Sequence, residues 1–475
     1  MKTSLRSAWV ALAGLSAVFL FEMLDNSILN VALPTIGREL HASTVALQWV
    51  TGAYSVVFGG LMLVFGALAD RAGRRRMMLI GLVLLGAASL ATVLVSTAEQ
   101  LIAVRAVMGV AAAMTTPGSI ALAFRLFDDD NLRVRAMTLI STVGLVGLAV
   151  GPTAGGFVLA VAPWQVLLLV NVPIAALALV GIRAGIEPDD PAGLHRDPID
   201  VPGALLGTAT IVLALIAPTL FVAGSTGSWF AVAGAVAAGV LFVVRERTAR
   251  HPLLDLSLVA RPLVSAGLAY KAATGLAVAG MGYLVTLQFQ LDWGWPPALA
   301  AAGMLPQVIV LVCAGPFVNR FVERVGLERA AALSSAAVVG GLAVYALLGR
   351  FGYVWVALSL ALVAAAIRVV GAVAGVNVLR GLPENRTSIG AALVDTASEV
   401  TSGAGIALSG TVVAALFTGS IAVSTWSAHQ HTEFHQAVTL AGILLTLLAA
   451  TLVGWAMLRT RRATTAAADV PAAVG

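Results

Sequence analysis

Charge is what this chain of 475 residues has least of: Asp, Glu, Lys and Arg make up 11% of it, against about 25% in ordinary soluble domains. That deficit excludes a solvated globular protein. Cysteine is nearly absent as well. Cys313 stands alone in an apolar stretch, so no intrachain disulfide can form and the redox compartment stays open. No Gly-x-x-x-x-Gly-Lys-Ser/Thr segment occurs, which excludes the phosphate loop of an ATP-driven pump. No polar cluster of a soluble catalytic type occurs either, so neither an enzyme nor a cofactor is expected.

Apolar residues fill the space that charge leaves. They make up 59% of the chain, and the mean hydropathy is +0.97. Fourteen windows between residues 9 and 458 are long enough to cross a hydrocarbon core of about 30 Å as helices. The first stretch, from Trp9 to Leu24, is too long, and too poor in a small-residue cleavage site, to be read as a removed signal peptide. Twenty-three of the 28 basic residues fall at the termini or in alternate loops, which puts both termini in the cytoplasm by the positive-inside rule. The same asymmetry accounts for the net charge of +5 without a nucleic-acid partner.

The punctuation repeats. Asp70, Arg71 and Gly73 follow the second window, and Glu323, Arg324 and Gly326 follow the tenth at the same relative offsets. Two parallel six-helix halves follow from this, residues 1–184 and 262–460. Residues 185–261 hold linkers and an inserted pair of spans, and 461–475 form a cytoplasmic tail whose Ala- and Thr-rich part, 463–475, is expected to be disordered. Facing halves of this kind form a transporter architecture.

Charges inside the windows stand out, because each costs at least about 2.5–3.5 kcal/mol to insert. Glu22 and Asp25 lie three apart on one face of the first helix, and Asp395 and Glu399 four apart on the thirteenth. Like charges repel and burial disfavours ionisation, so such pairs suit the uptake and release of a proton. Arg105, Arg368 and Lys271 are the basic residues inside helices, and each could neutralise an acid or serve as part of a static ion pair that fixes helix register. Lys271 could also extend its head toward the cytoplasmic surface. Gln48, Tyr54, Tyr283, Gln288, Gln290, Gln307 and Asn377 are polar handles among apolar walls, and with Arg368 they make a lining suited to large amphipathic compounds.

In the fifth window the chain reads Gly147-x-x-x-Gly151-Pro152-x-x-Gly155-Gly156. Such a block is either a close helix-packing face or a bent pivot. The loop Asp70-Arg71-x-Gly73-Arg74 reads as a tight turn carrying a topology signal, with Asp70 the outlier in a basic run. Between the thirteenth and fourteenth windows, His429, His431, Glu433 and His435 read as a solvated, pH-sensitive outer loop, with a surface metal site as the alternative.

Four patterns together resemble the major facilitator superfamily, and within it the drug:proton antiporter branch with fourteen spans, over residues 5–460. They are Leu24-Asp25-x-x-x-x-Asn30-Val31-Ala32-Leu33-Pro34, the loop from Gly66 to Met78, Leu101-x-x-x-Arg105-x-x-Met108-Gly109, and the glycine block. Trp164 followed by Asn171-Val172-Pro173, and the segment from Arg247 to Leu254, resemble the same branch. The resemblance implies that Asp25 is the first-span acid and Arg105 the proton-coupling arginine. It also implies that Asp70, with Arg71, Gly73 and Arg74, gates the cytoplasmic side, and that Gly147, Gly151, Pro152, Gly155 and Gly156 form the antiporter hinge. Glu22 departs from the apolar residue usual there and adds a second carboxylate. The fold expected is all-α, two pseudo-symmetric six-helix bundles plus two inserted helices.

The function expected is proton-driven export of drugs or a self-made antibiotic, with Asp25, Glu22, Arg105, Asp395 and Glu399 coupling the proton. Transport of an endogenous metabolite or lipid by the same fold is the alternative. The partners are then a small molecule, protons and membrane lipid, the energy source is the proton gradient, and the chain acts as a monomer. Abundant Ala, Gly, Val and Arg suggest a GC-rich bacterium and its cytoplasmic membrane.

Overall fold

A computed structural model describes residues 4–127, 129–190, 200–222, 226–250, 252–382, 387–418 and 426–468. The first half comprises α1 (Trp9–Glu39), α2 (Thr44–Ala72), α3 (Arg74–Ala91), α4 (Ala98–Arg125), α5 (Asp130–Leu159), the short α6 (Gln165–Leu169) and α7 (Asn171–Gly185). The inserted pair is α8 (Val201–Val222) and α9 (Gly227–Thr248), followed by the turn α10 (Leu256–Val259). The second half comprises α11 (Pro262–Leu287), α12 (Pro297–Gly303), α13 (Leu305–Cys313), α14 (Gly315–Val325), α15 (Leu327–Leu348), α16 (Tyr353–Gly381), α17 (Thr387–Leu416) and α18 (Ala428–Ala468). Among the described residues thirteen helices are long and apolar enough to cross a membrane. The tenth expected window, 298–318, is instead broken into α12, α13 and α14. Pro306 and Pro316 sit in the first turns of α13 and α14, where they lack the N–H that a continuous helix would need.

Local chemistry sets several boundaries. Ser43 starts α2 by accepting from the Ala46 amide at 3.1 Å, and Thr97 starts α4 by accepting from Gln100 at 3.3 Å. The repeated glycines perform the same turn in both halves. Gly73 joins α2 to α3 at φ 101°, and Gly326 joins α14 to α15 at φ 85°, a region that side-chain-bearing residues avoid.

The two halves share one packing plan. In the first, α1 packs on α5 and α7, and α3 on α4 and α7. In the second, α11 packs on α17 and α18, and α15 on α16 and α18. Small residues allow the close approaches: a methyl added at Gly14 of α1 would lie 2.8 Å from the Gly181 carbonyl carbon of α7. Of the inserted pair, α8 lies against α2 and α17 and so covers one seam between the halves, with α9 packed on α8. Thr208 of α8 donates to the Gly60 carbonyl of α2 at 2.7 Å.

Two further expectations need correction. The histidine segment is no loop, because α18 begins at Ala428 and carries His429, His431 and His435 in its first turns. Position 427 initiates that helix: Ser427 Oγ accepts from the Gln430 amide at 3.2 Å. The tail is helical through Ala468, and the rest of it lies outside the described residues.

Candidate functional site

The i,i+3 spacing of Glu22 and Asp25 on α1 turns both acids toward α4, and there they meet different partners. Asp25 is fully buried and has both oxygens occupied. One accepts from Arg105 Nη1 at 2.5 Å, the other from Asn171 Nδ2 of α7 at 2.8 Å. Arg105 is 1% exposed. Its Nε donates to the Val50 carbonyl of α2 at 3.2 Å, and its guanidinium lies 4.6 Å from the centre of the Tyr54 ring. One ion pair therefore ties together α1, α2, α4 and α7. Removing one member of such a buried pair costs about 3–5 kcal/mol, because the other charge is left uncompensated.

Glu22 is placed otherwise. One oxygen accepts from Thr116 Oγ1 of α4 at 2.9 Å. Across the seam it lies within electrostatic reach of Glu399, Asp395 and Lys271. Glu399 Oε2 and Asp395 Oδ2 are buried atoms without a hydrogen-bond partner. Lys271 of α11, half-buried, lies within electrostatic reach of both of these acids. Three carboxylates share one lysine at the meeting of the two halves, whereas Asp25 is matched one to one by Arg105.

The polar handles separate into groups. Gln48 of α2 donates through Nε2 to the Ala407 carbonyl of α17 at 2.9 Å and to Thr219 Oγ1 of α8 at 3.1 Å, which joins both halves and the insert. Gln290 donates to the Val31 carbonyl of α1 at 2.8 Å, again across the halves. Gln288 donates to the Gly349 carbonyl within its own half at 3.1 Å. Tyr54 and Tyr283 are buried with unpartnered hydroxyls. Asn377 is buried on α16, and Gln307 is half-buried on α13. Arg368 of α16 donates from Nε to the Leu311 carbonyl at 2.7 Å and also from Nη2. That carbonyl lies in the last turn of α13, next to the break before α14, so Arg368 caps an interrupted helix.

The glycine block makes a groove for α1. Methyls added at Gly147, Gly151 and Gly155 would run into Leu20, Ser27 and Ile28 of α1 in turn. Ser27 also donates to the Leu24 carbonyl at 3.0 Å. Gly156 faces the other half, where an added methyl would meet the Pro297 carbonyl of α12 at 2.5 Å. Pro152 lies inside α5, which continues unbroken past it. At the turn between α2 and α3 Asp70 accepts from Arg74 Nε at 2.6 Å, a contact within the first half. Arg71 is exposed. The buried Gly73 turn lies beneath Asp189, which accepts from the Arg76 amide at 3.2 Å.

Contacts across the halves therefore concentrate at the end opposite the basic loops, through Gln48, Gln290 and Gly156. Residue chemistry alone missed Thr116, Asp189 and Asp292. Asn171 was visible only as part of a motif. His431 Nδ1 and His435 Nε2 lie 2.9 and 2.8 Å from the two oxygens of Asp292, and among the described residues no group of three or more His, Cys, Asp or Glu is arranged for a metal.

Residues 15–406 match the family model described as the Major Facilitator Superfamily. The lincomycin resistance protein of Streptomyces lincolnensis is 33% identical over 342 residues, 70% of this chain and 69% of that protein. The methyl viologen resistance protein SmvA of Salmonella typhimurium is 29% identical over 87% of this chain and 84% of its own length. The multidrug efflux pump LfrA of Mycolicibacterium smegmatis is 29% identical over 88% and 83%. Among solved structures, a peptide transporter POT in complex with sulfate superposes with TM-score 0.67 at 15% identity, covering 95% of each chain. The human organic anion transporter MFSD10 gives 0.62 at 17%, covering 94% of this chain and all of that one.

Proposed function

The chain belongs to the major facilitator superfamily, and on that premise we propose that it exports amphipathic, cationic drugs or antibiotics across a bacterial cytoplasmic membrane in exchange for protons. The observation that carries this reading is the charge cluster at the seam: Glu22 from one half, Asp395 and Glu399 from the other, and Lys271 as the one base among them. Curated relatives named for resistance to lincomycin and methyl viologen support the substrate class.

The mechanism is competition for charge. A proton or a cationic substrate can neutralise the excess carboxylate, but one site does not hold both strongly. Facing the acidic outside, the cluster takes up a proton and its attraction for the drug falls. Facing the cytoplasm, it releases the proton and binds drug again. Residues 1–184 and 262–460 rock as two bodies about this cluster, with the glycine block of α5 sliding on α1 and against α12. Asp25 and Arg105 hold the first half rigid around Glu22, and the Asp70 loop engages the second half when the cytoplasmic side closes.

The test uses the purified protein in liposomes with an imposed pH gradient. Addition of a lipophilic cation should drive proton movement, and Glu22→Gln and Glu399→Gln should each abolish that movement while the protein stays folded. Drug-driven proton movement that survives both substitutions would overturn the assignment. Uptake of a neutral metabolite, with no response to cations, would favour the metabolite reading.

A further inference from the structure

Asp292 has no part in the exchange just described, yet it is the most completely engaged acid at the outer end. It closes a π-helical turn, Gln288–Asp292, that ends the ninth span. Its carboxylate is 3% exposed, and each oxygen takes one histidine of α18, His431 at 2.9 Å and His435 at 2.8 Å. Those histidines are 39% and 38% exposed at the outer end of the helix, so outside water reaches them. The turn that Asp292 anchors also carries Gln290, whose amide reaches the Val31 carbonyl of the other half.

We propose that Asp292, His431 and His435 form an external proton-sensing latch, which holds the π-turn in register and thereby positions Gln290 for outer closure. The three are positioning residues, since Gln290 makes the contact between halves. Histidine is the side chain whose charge changes between about pH 5 and 8. A neutral imidazole gives the Asp292 carboxylate a hydrogen bond, and a protonated one adds the attraction of opposite charges to it. Acid outside therefore tightens the latch. Resting on the antiporter reading above, this is the sense required for the return stroke, in which the proton-loaded protein closes to the outside.

The surroundings leave that sign intact. From the end of α15 and the turn after it, Tyr345 and Arg350 border the same small cavity as His435, and the Arg350 guanidinium lies over the Phe351 ring at 4.7 Å. From α16, Tyr353 stacks near Phe289 at 6.1 Å between ring centres. On α18 itself, Glu433 is engaged by His429 at 3.1 Å and by the Thr418 hydroxyl at 2.7 Å. The outer end of α17 presents no ionisable side chain among the described residues. Asp292 is thus the one carboxylate bonded to both rings.

The experiment measures the outer end directly. Spin labels at Val161→Cys and Val354→Cys, in a Cys313→Ser background, report the separation of the halves by double electron–electron resonance in liposomes. Going from about pH 7.5 to about pH 5.5 should raise the closed-to-open ratio roughly three- to tenfold, as expected for charge-assisted bonds that are partly exposed. His431→Gln/His435→Gln keeps amide donors but cannot charge, and it should remove more than half of the response, as should Asp292→Asn, the remainder belonging to the seam carboxylates. Monodisperse elution and unchanged label mobility at a remote site establish that the variants are folded. A response as large in the double variant as in the parent, or missing from the parent protein, would overturn the latch. Glu22→Gln should keep the histidine-dependent part of the response while losing drug-driven proton exchange. A latch that responds in a protein showing no exchange would overturn the antiporter reading alone.

Discussion

Asp25→Asn tests whether the buried ion pair is a scaffold or a proton site. The substitution leaves Arg105, 1% exposed, with a neutral amide in place of its counter-charge at 2.5 Å. Arg105 keeps the Val50 carbonyl and the Tyr54 ring, so part of its solvation survives. Breaking a buried pair from one side costs about 3–5 kcal/mol, and the retained contacts place this case at the lower end of that range, about 3 kcal/mol. Removing both charges leaves no uncompensated ion, and such replacements are often neutral. Asp25→Asn should therefore lower the midpoint of thermal unfolding in detergent by several degrees, and Asp25→Asn/Arg105→Gln should recover most of the loss. Drug-driven proton exchange measured below the unfolding range should persist in the double variant at a reduced rate. Unchanged stability in Asp25→Asn combined with complete loss of exchange would refute the reasoning and move the proton site from Glu22 to Asp25.

Two further substitutions probe the moving parts. Gly151→Leu places a branched side chain where even a methyl would collide with Ser27 of α1. Export in a resistance assay should be lost while the protein still inserts and can be purified, and a fully active variant would remove α5 from the hinge. Arg368→Gln withdraws the Nε bond at 2.7 Å from the Leu311 carbonyl. Leaving that buried acceptor poorly satisfied should cost about 1–3 kcal/mol, seen as faster hydrogen exchange over 305–325, with Arg368→Lys recovering part of it.

The fold was legible because its signals are additive along the chain. Long apolar windows, a basic bias in alternate loops, and two glycine turns at matching offsets each follow from one-dimensional constraints that the bilayer imposes. Gly73 and Gly326 show this well, since both adopt the positive φ that their shared spacing implied. The pairing of side chains was not legible, because it depends on which helices face each other. Asp25 and Glu22 are equivalent on the helical wheel, yet Asn171 of α7 and Arg105 of α4 saturate one, whereas Thr116 and the opposite half meet the other. The histidine segment failed for another reason. Polar residues at a membrane surface look the same in a loop and in the first turns of a helix, and the partner that orders them, Asp292, lies 139 residues away from His431 in sequence.

The difference between the two acids of α1 has a mechanistic consequence. A carboxylate bonded on both oxygens to groups of its own half keeps its surroundings when the halves rock, so its affinity for a proton is insulated from the transport cycle. A carboxylate whose electrostatic neighbours belong to the other half must change surroundings whenever the seam opens. Coupling needs the second kind, because a proton is carried only if its binding differs between the two facing states. Glu22 meets that condition through Glu399, Asp395 and Lys271. Asp25 keeps its two bonded partners inside the first half. On this argument we propose as proton carrier the acid that departs from the family's usual apolar residue, with the acid that matches the family pattern holding the first half together around it.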